Sequence, residues 1–67
     1  MNLHTCTIVL KDNITMICDS VEQSLGYIDS HGAANIDHIL IDASDGAHVQ
    51  SFHHLSVEES IESLMNL

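Results

Sequence analysis

Sixty-seven residues allow one core at most, because a chain of this length buries only about 60% of the surface that its unfolded form exposes. Ten acids face a single base, Lys11, giving a formal charge of −9 with the histidines neutral, and Arg, Pro and Trp are absent; direct binding to nucleic-acid phosphates or an anionic membrane is excluded, since both need clustered Lys or Arg. With 45% of residues hydrophobic and 16% charged, against about 25% charged in an average domain, disorder is excluded too.

The start, Met1-Asn2-Leu3-His4-Thr5-Cys6, carries neither a positively charged n-region nor an apolar h-region, and no apolar run approaches the ~18 residues of a membrane span. The expectation is a soluble, unexported and therefore cytoplasmic chain. Cys6 and Cys18 lie twelve apart, a spacing that fits neither a redox Cys-x-x-Cys nor a zinc finger, so they are read as reduced, buried apolar groups.

The first predicted elements form a hairpin. His4, Cys6, Ile8 and Leu10 alternate with Thr5, Thr7, Val9 and Lys11, and Ile14, Met16 and Cys18 alternate with Thr15, Ile17 and Asp19. A three-residue loop, Lys11-Asp12-Asn13, with Asn13 in the left-handed region, pairs Leu10 with Ile14, Ile8 with Met16 and Cys6 with Cys18 on one face. A two-residue loop would oppose Cys6 to Asp19 and mix the faces. Next comes a helix opened by a capping box: Ser20 accepts from the third helical amide and Gln23 reaches back to the cap amide. Its apolar stripe is Val21, Leu25 and Ile28, and Gly32 ends it.

After the connector Gly32-Ala33-Ala34-Asn35, the devices recur. A second hairpin is predicted around Ser44-Asp45-Gly46, pairing Ala43 with Ala47, Ile41 with Val49 and Ile39 with Ser51. The last helix opens with the box Ser56-Val57-Glu58-Glu59 and shows the stripe Val57, Ile61 and Leu64. Ser20-Val21-Glu22-Gln23-Ser24-Leu25 is thus echoed by Ser56-Val57-Glu58-Glu59-Ser60-Ile61, 36 residues on, while the hairpins repeat at 33. Three extra residues are therefore expected within Phe52-His53-His54-Leu55.

The predicted fold is α+β: one domain over residues 1–67, built as a tandem ββα-ββα repeat of units 3–32 and 36–67. Its four-stranded, mainly antiparallel sheet carries both helices on one face. The other face is expected to show Val9, Ile17, Leu40 and Phe52, an apolar set suited to a homodimer.

Six histidines, His4, His31, His38, His48, His53 and His54, are the oddest enrichment. The register above sets His48 opposite Asp42 and His38 opposite Phe52, with His54 diagonally near His38. A metal or pH sensor would use His38 and His54 with a carboxylate, or His4 with Cys6 and Cys18, but none of these shows ligand spacing, and exposed histidines serving as polar sheet residues account for them. No cofactor is expected. Nucleophilic catalysis fails because both cysteines fall on the apolar face, and paired carboxylates such as Glu58 and Glu62 occur on any solvated helix, so the chain reads as a non-enzyme.

A single-sign surface steers a basic partner. The leading expectation is an acidic protein-binding module, an inhibitor or decoy that blocks a larger basic nucleic-acid-binding protein, as small phage or mobile-element proteins do against CRISPR or restriction effectors. Its candidate contacts are Asp42 and Asp45 on the second hairpin, Glu58, Glu59 and Glu62 on the last helix, and Leu40 and Phe52 as apolar anchors. The order strand, Asp45-Gly46 turn, strand, then Ser56-Val57-Glu58-Glu59-Ser60-Ile61 resembles the start of HicB-like antitoxin domains over the second unit. That resemblance implies an antitoxin-like or regulatory interaction module as the alternative.

Overall fold

The computed structural model describes all 67 residues. Strand β1 (Asn2–Leu10) turns into β2 (Thr15–Cys18), helix α1 (Val21–His31) follows, and a 3₁₀ turn at Ala33–Asn35 leads into β3 (Ile36–Ser44), β4 (Val49–Phe52) and helix α2 (Val57–Met65). The four strands form one antiparallel sheet in the order β2-β1-β3-β4. No helix is long and apolar enough to cross a membrane.

The first hairpin has the expected register. Cys6 faces Cys18 and Ile8 faces Met16, while the Leu10 amide donates to the Ile14 carbonyl at 2.8 Å. Asn13 supplies the positive φ, 71°, and the Ile14 amide donates to the Asp12 carboxylate, so the loop closes on its own side chain. Ile14 itself, expected inward, is 52% exposed because β2 begins one residue later.

In the second hairpin the expected register is wrong. Ile41 faces Phe52, Asp42 faces Ser51, Ala43 faces Gln50 and Ser44 faces Val49. The odd shift of three residues exchanges the two faces of β4. Phe52 turns inward and packs against the core, whereas Val49 points out, 52% exposed. The observed register packs the chain's one phenylalanine against the core as a single large side chain, where the expected one would have left it in water. The tip accommodates the slip through Asp45, whose Oδ1 accepts from the Ala47 and His48 amides at 2.9 and 2.8 Å, with Gly46 at φ 96°. Phe52 now precedes Ser56 by the same four residues that separate Met16 from Ser20. The extra residues therefore lie in the hairpin tip and not within Phe52–Leu55.

The core lies between the helices and the inner face of the sheet. Cys6, Ile8, Leu10 and Cys18 from the first hairpin meet Ile36, Ile39 and Ile41 from β3, and Ile28 and Leu64 close the cluster from above. Both helices are capped as their serines predict. Ser56 and Glu59 exchange both bonds of the capping box; at α1 Ser20 accepts from the Gln23 amide, but Gln23 reaches past the cap to the Asp19 amide. Of the expected stripes only the last members, Ile28 and Leu64, are buried, and a serine shares that depth on each helix. Ser24 with Ile28, and Ser60 with Leu64, are fully or nearly fully buried, while Val21, Leu25, Val57 and Ile61 flank them half-buried. A serine at the centre lets each helix backbone approach the sheet more closely than leucine would.

Gly26, inside α1, meets no such need, since a Cβ built there has nothing within 4 Å. Gly26→Ala is expected to stabilise the fold by about 1 kcal/mol through helix propensity alone, as measured by urea denaturation.

Candidate interaction surfaces

Charge is sorted between the two layers. Glu22 and Asp29 on α1 and Glu58, Glu59 and Glu62 on α2 are all exposed, and no Lys or Arg stands on either helix. The two ion pairs within 4.0 Å, His38–Asp37 and His53–Asp42, both rely on histidine, so no helical carboxylate is ion-paired, and Glu59 alone feels a nearby histidine, His54. Helix N-termini favour these acids through the macrodipole. The Ser56 amide holds the Glu59 carboxyl below the usual carboxylate range, which leaves Glu58 and Glu62, one turn apart, as the free charges of α2.

The outer face of the sheet has a different character. It carries Thr5, Thr7 and Val9 of β1, Ile17 of β2, His38, Leu40 and Asp42 of β3, and Val49 and Ser51 of β4, placed there by alternation from their buried neighbours. Asp42 is the single carboxylate among them. Ser51 Oγ donates to Asp42 Oδ1 at 2.7 Å and His53 Nε2 to the same oxygen at 3.0 Å. The Ser51 hydrogen bond, helped by His53 and by His4 nearby, holds the Asp42 carboxyl below its ordinary range. His48, expected opposite Asp42, lies instead in the hairpin tip, and Ser51 takes that place. His4 is the extra residue of a β-bulge between Leu3 and Thr5, and Asp37 is the extra residue of a second bulge at the other end of the β1–β3 ladder.

The candidate contact residues thus separate. Leu40 and Asp42 lie on the outer sheet face, Asp45 at the tip of the second hairpin, Glu58, Glu59 and Glu62 on the opposite, helical layer, and Phe52 inside. The Asp45 carboxylate is occupied by the Ala47 and His48 amides, which lower its pKa. Two features of the site had no expectation in the sequence: His53, which becomes a partner of Asp42 only in the observed register, and the serine Ser51 beside it.

The metal candidates do not converge. His38 Nδ1 contacts Asp37 Oδ2 at 2.7 Å and lies opposite Val9, not Phe52; His54 follows β4, and no group of three or more His, Cys, Asp or Glu side chains is gathered to hold an ion. Cys6 and Cys18 face each other, fully buried and reduced, with Ser24 beside both. Burial pushes both thiols up, and the Ser24 hydroxyl offsets this only in part. An open cleft of about 270 Å³ at the far end of the sheet is lined by Leu10, Lys11, Asp12, His31 and Asn35. No known protein family, curated protein or solved structure matches the chain.

Two measurements check this geometry. Ser51→Ala returns the Asp42 carboxyl towards its ordinary range, read by NMR titration. A carboxylate with a lowered folded pKa stabilises above its unfolded pKa and loses that contribution as pH falls through the folded value. The variant is therefore expected to be less stable than wild type by about 1 kcal/mol at neutral pH, a gap that closes once pH drops below the ordinary aspartate range. Secondly, a thiol-specific disulfide reagent is expected to leave both cysteines unreacted in the native protein and to titrate both at once in denaturant.

Proposed function

We propose that the chain is an acidic protein-binding module that occupies the nucleic-acid site of a larger basic protein, as an inhibitor or decoy of the kind that phage and mobile elements direct at CRISPR or restriction effectors. The observation that carries this reading is the outward surface of α2, where Glu58 and Glu62 stand without an ion-pair partner, with Glu59 between them and no Lys or Arg on the helix. Two carboxylates one helical turn apart, on an element held rigid by a full capping box, offer lysines and arginines a pre-ordered anionic ridge. The surrounding charge of −9 speeds encounter with such a partner.

In this reading α2 is the contact element. Leu40 and Asp42 face the other way and Phe52 serves the core, so they take no part in the contact. The charge is moderate and paired at few points, which suits recognition by a protein groove better than imitation of a phosphate backbone would. The cytoplasm, where nucleic-acid-binding effectors act, is the compartment that fits.

We also read the two ββα segments as a tandem repeat. The β1–β3 ladder supports it: taking each β1 residue 33 positions forward turns the pair Ile8–Ile39 into the pair Cys6–Ile41, and leaves Thr7–Leu40 unchanged. The bulged residues His4 and Asp37 correspond under the same shift. A chain so built has two similar helical edges, and the second bears the greater charge.

The test is capture on immobilised protein from a nuclease-treated extract of the native host, followed by competition. Wild type is expected to retain a basic nucleic-acid-binding protein that salt or added nucleic acid releases, and the double variant Glu58→Lys, Glu62→Lys to lose at least about tenfold in apparent affinity, with unchanged circular dichroism. Binding that survives both high salt and this charge reversal overturns the reading.

A further inference from the structure

The helices cover one face of the sheet and leave the other bare. On the bare face Ile17 pairs across to Thr7, and Thr7 to Leu40, so one row of side chains crosses three strands. Val9 flanks this row on β1 and Val49 stands beyond it on β4. Ile17 is 70% exposed and Val49 52%, large values for branched apolar side chains in a sheet. We propose that this face is a self-association surface, on which two copies stack sheet to sheet in a four-layer dimer with the helices outermost.

Charge identifies the occupant. A chain of −9 repels its own copy wherever its acids lie, and this face carries Asp42, whose carboxylate is engaged by Ser51 and His53, with Asp37 at its edge engaged by His38. A basic partner finds here only carboxylates that already have partners. A second copy presents a matching low-charge surface by symmetry, as an isologous two-fold contact requires. Stacking sheets about 10 Å apart, each with its helices about 10 Å further out, sets the two helical layers, which carry Glu22, Asp29, Glu58, Glu59 and Glu62, roughly 30 Å from one another, several times the ~8 Å Debye length at physiological salt. The repulsion between the helical carboxylates is therefore screened.

Area sets the strength. Two central strands of nine residues and two edge strands of four, at about 3.3 Å per residue and 4.8 Å between strands, make a plan of about 400 Å² per copy. Side-chain relief raises the accessible area lost by both copies to roughly 1,000 Å², the lower limit for a specific interface. A reversible dimer with a dissociation constant in the micromolar range follows, since larger and more apolar interfaces are needed for a permanent one.

Sedimentation equilibrium of the full chain, from about 10 µM to about 1 mM, reads this directly. The weight-average mass is expected to climb from one chain towards two, with no weakening in high salt. Ile17→Lys and, independently, Val49→Lys place a charge on exposed positions that folding does not need, and each is expected to raise the dissociation constant at least about tenfold. Met65→Lys, at a 68% exposed site on α2, is expected to dimerise like wild type. A single-chain mass at the highest concentration overturns the proposal, as does association that survives both sheet-face variants or that Met65→Lys abolishes. Glu58→Lys with Glu62→Lys leaves the dimer intact, so loss of partner capture and loss of self-association are read separately.

Discussion

The rest of the molecule depends on the antiparallel ladder between β1 and β3. It is the one strand pairing that joins the first half of the chain to the second, and it sets Cys6 against Ile41 and Ile8 against Ile39, all four fully buried. Each flanking hairpin alone is a two-stranded unit with a four-residue edge, and such units are marginal in water. Joined through their long strands, they present one continuous apolar face on which both helices can bury a side. A slip of one residue in this ladder would turn the isoleucines to solvent and leave Ile28 and Leu64 without a floor.

The same architecture sorts the surface chemistry. Acidic side chains are favoured where backbone amides lack partners, which is at helix starts and hairpin tips, as Glu59, Asp45 and Asp12 show through their hydrogen bonds. Outer sheet positions favour β-branched residues, and there Thr7, Val9, Ile17 and Val49 are found. Local preferences therefore place carboxylates on the helices and at the hairpin tips, and methyl groups on the outer face of the sheet. The result is a molecule with an anionic helical side and a nearly neutral sheet side, two surfaces suited to different partners.

Much of this was legible in the sequence, residue by residue. Asn13 marks a left-handed turn position, Ser20 and Ser56 mark helix starts, and the matched alternation of Cys6, Ile8, Met16 and Cys18 leaves one register for the first hairpin. In the second hairpin the local cue pointed the wrong way. Gly46 suits a three-residue loop, and Ala43, Ala47, Ile41 and Val49 make a plausible apolar set. A longer tip closed by Asp45 prevails because it brings Phe52 under the sheet, a gain that is visible only when the core is assembled. The candidate site suffered with it: Leu40, Asp42, Asp45, Phe52 and the three glutamates are near in sequence or type, yet they lie on two layers, a hairpin tip and the interior. His53 and Ser51 became partners of Asp42 by the same three-residue shift.

What the sequence alone determined is the set of elements, their caps, the first hairpin's register and the sign of the charge. These rest on hydrogen bonds and alternations that span a few residues, so local composition carries them. The tertiary structure decided the strand order, the face of Phe52, the burial of Ser24 and Ser60 beside Ile28 and Leu64, and the pairing of Asp42 on the open sheet with Ser51 and His53. Each of these is the outcome of a competition for burial between residues that are distant in the chain, and it is settled only when the β1–β3 ladder brings them together.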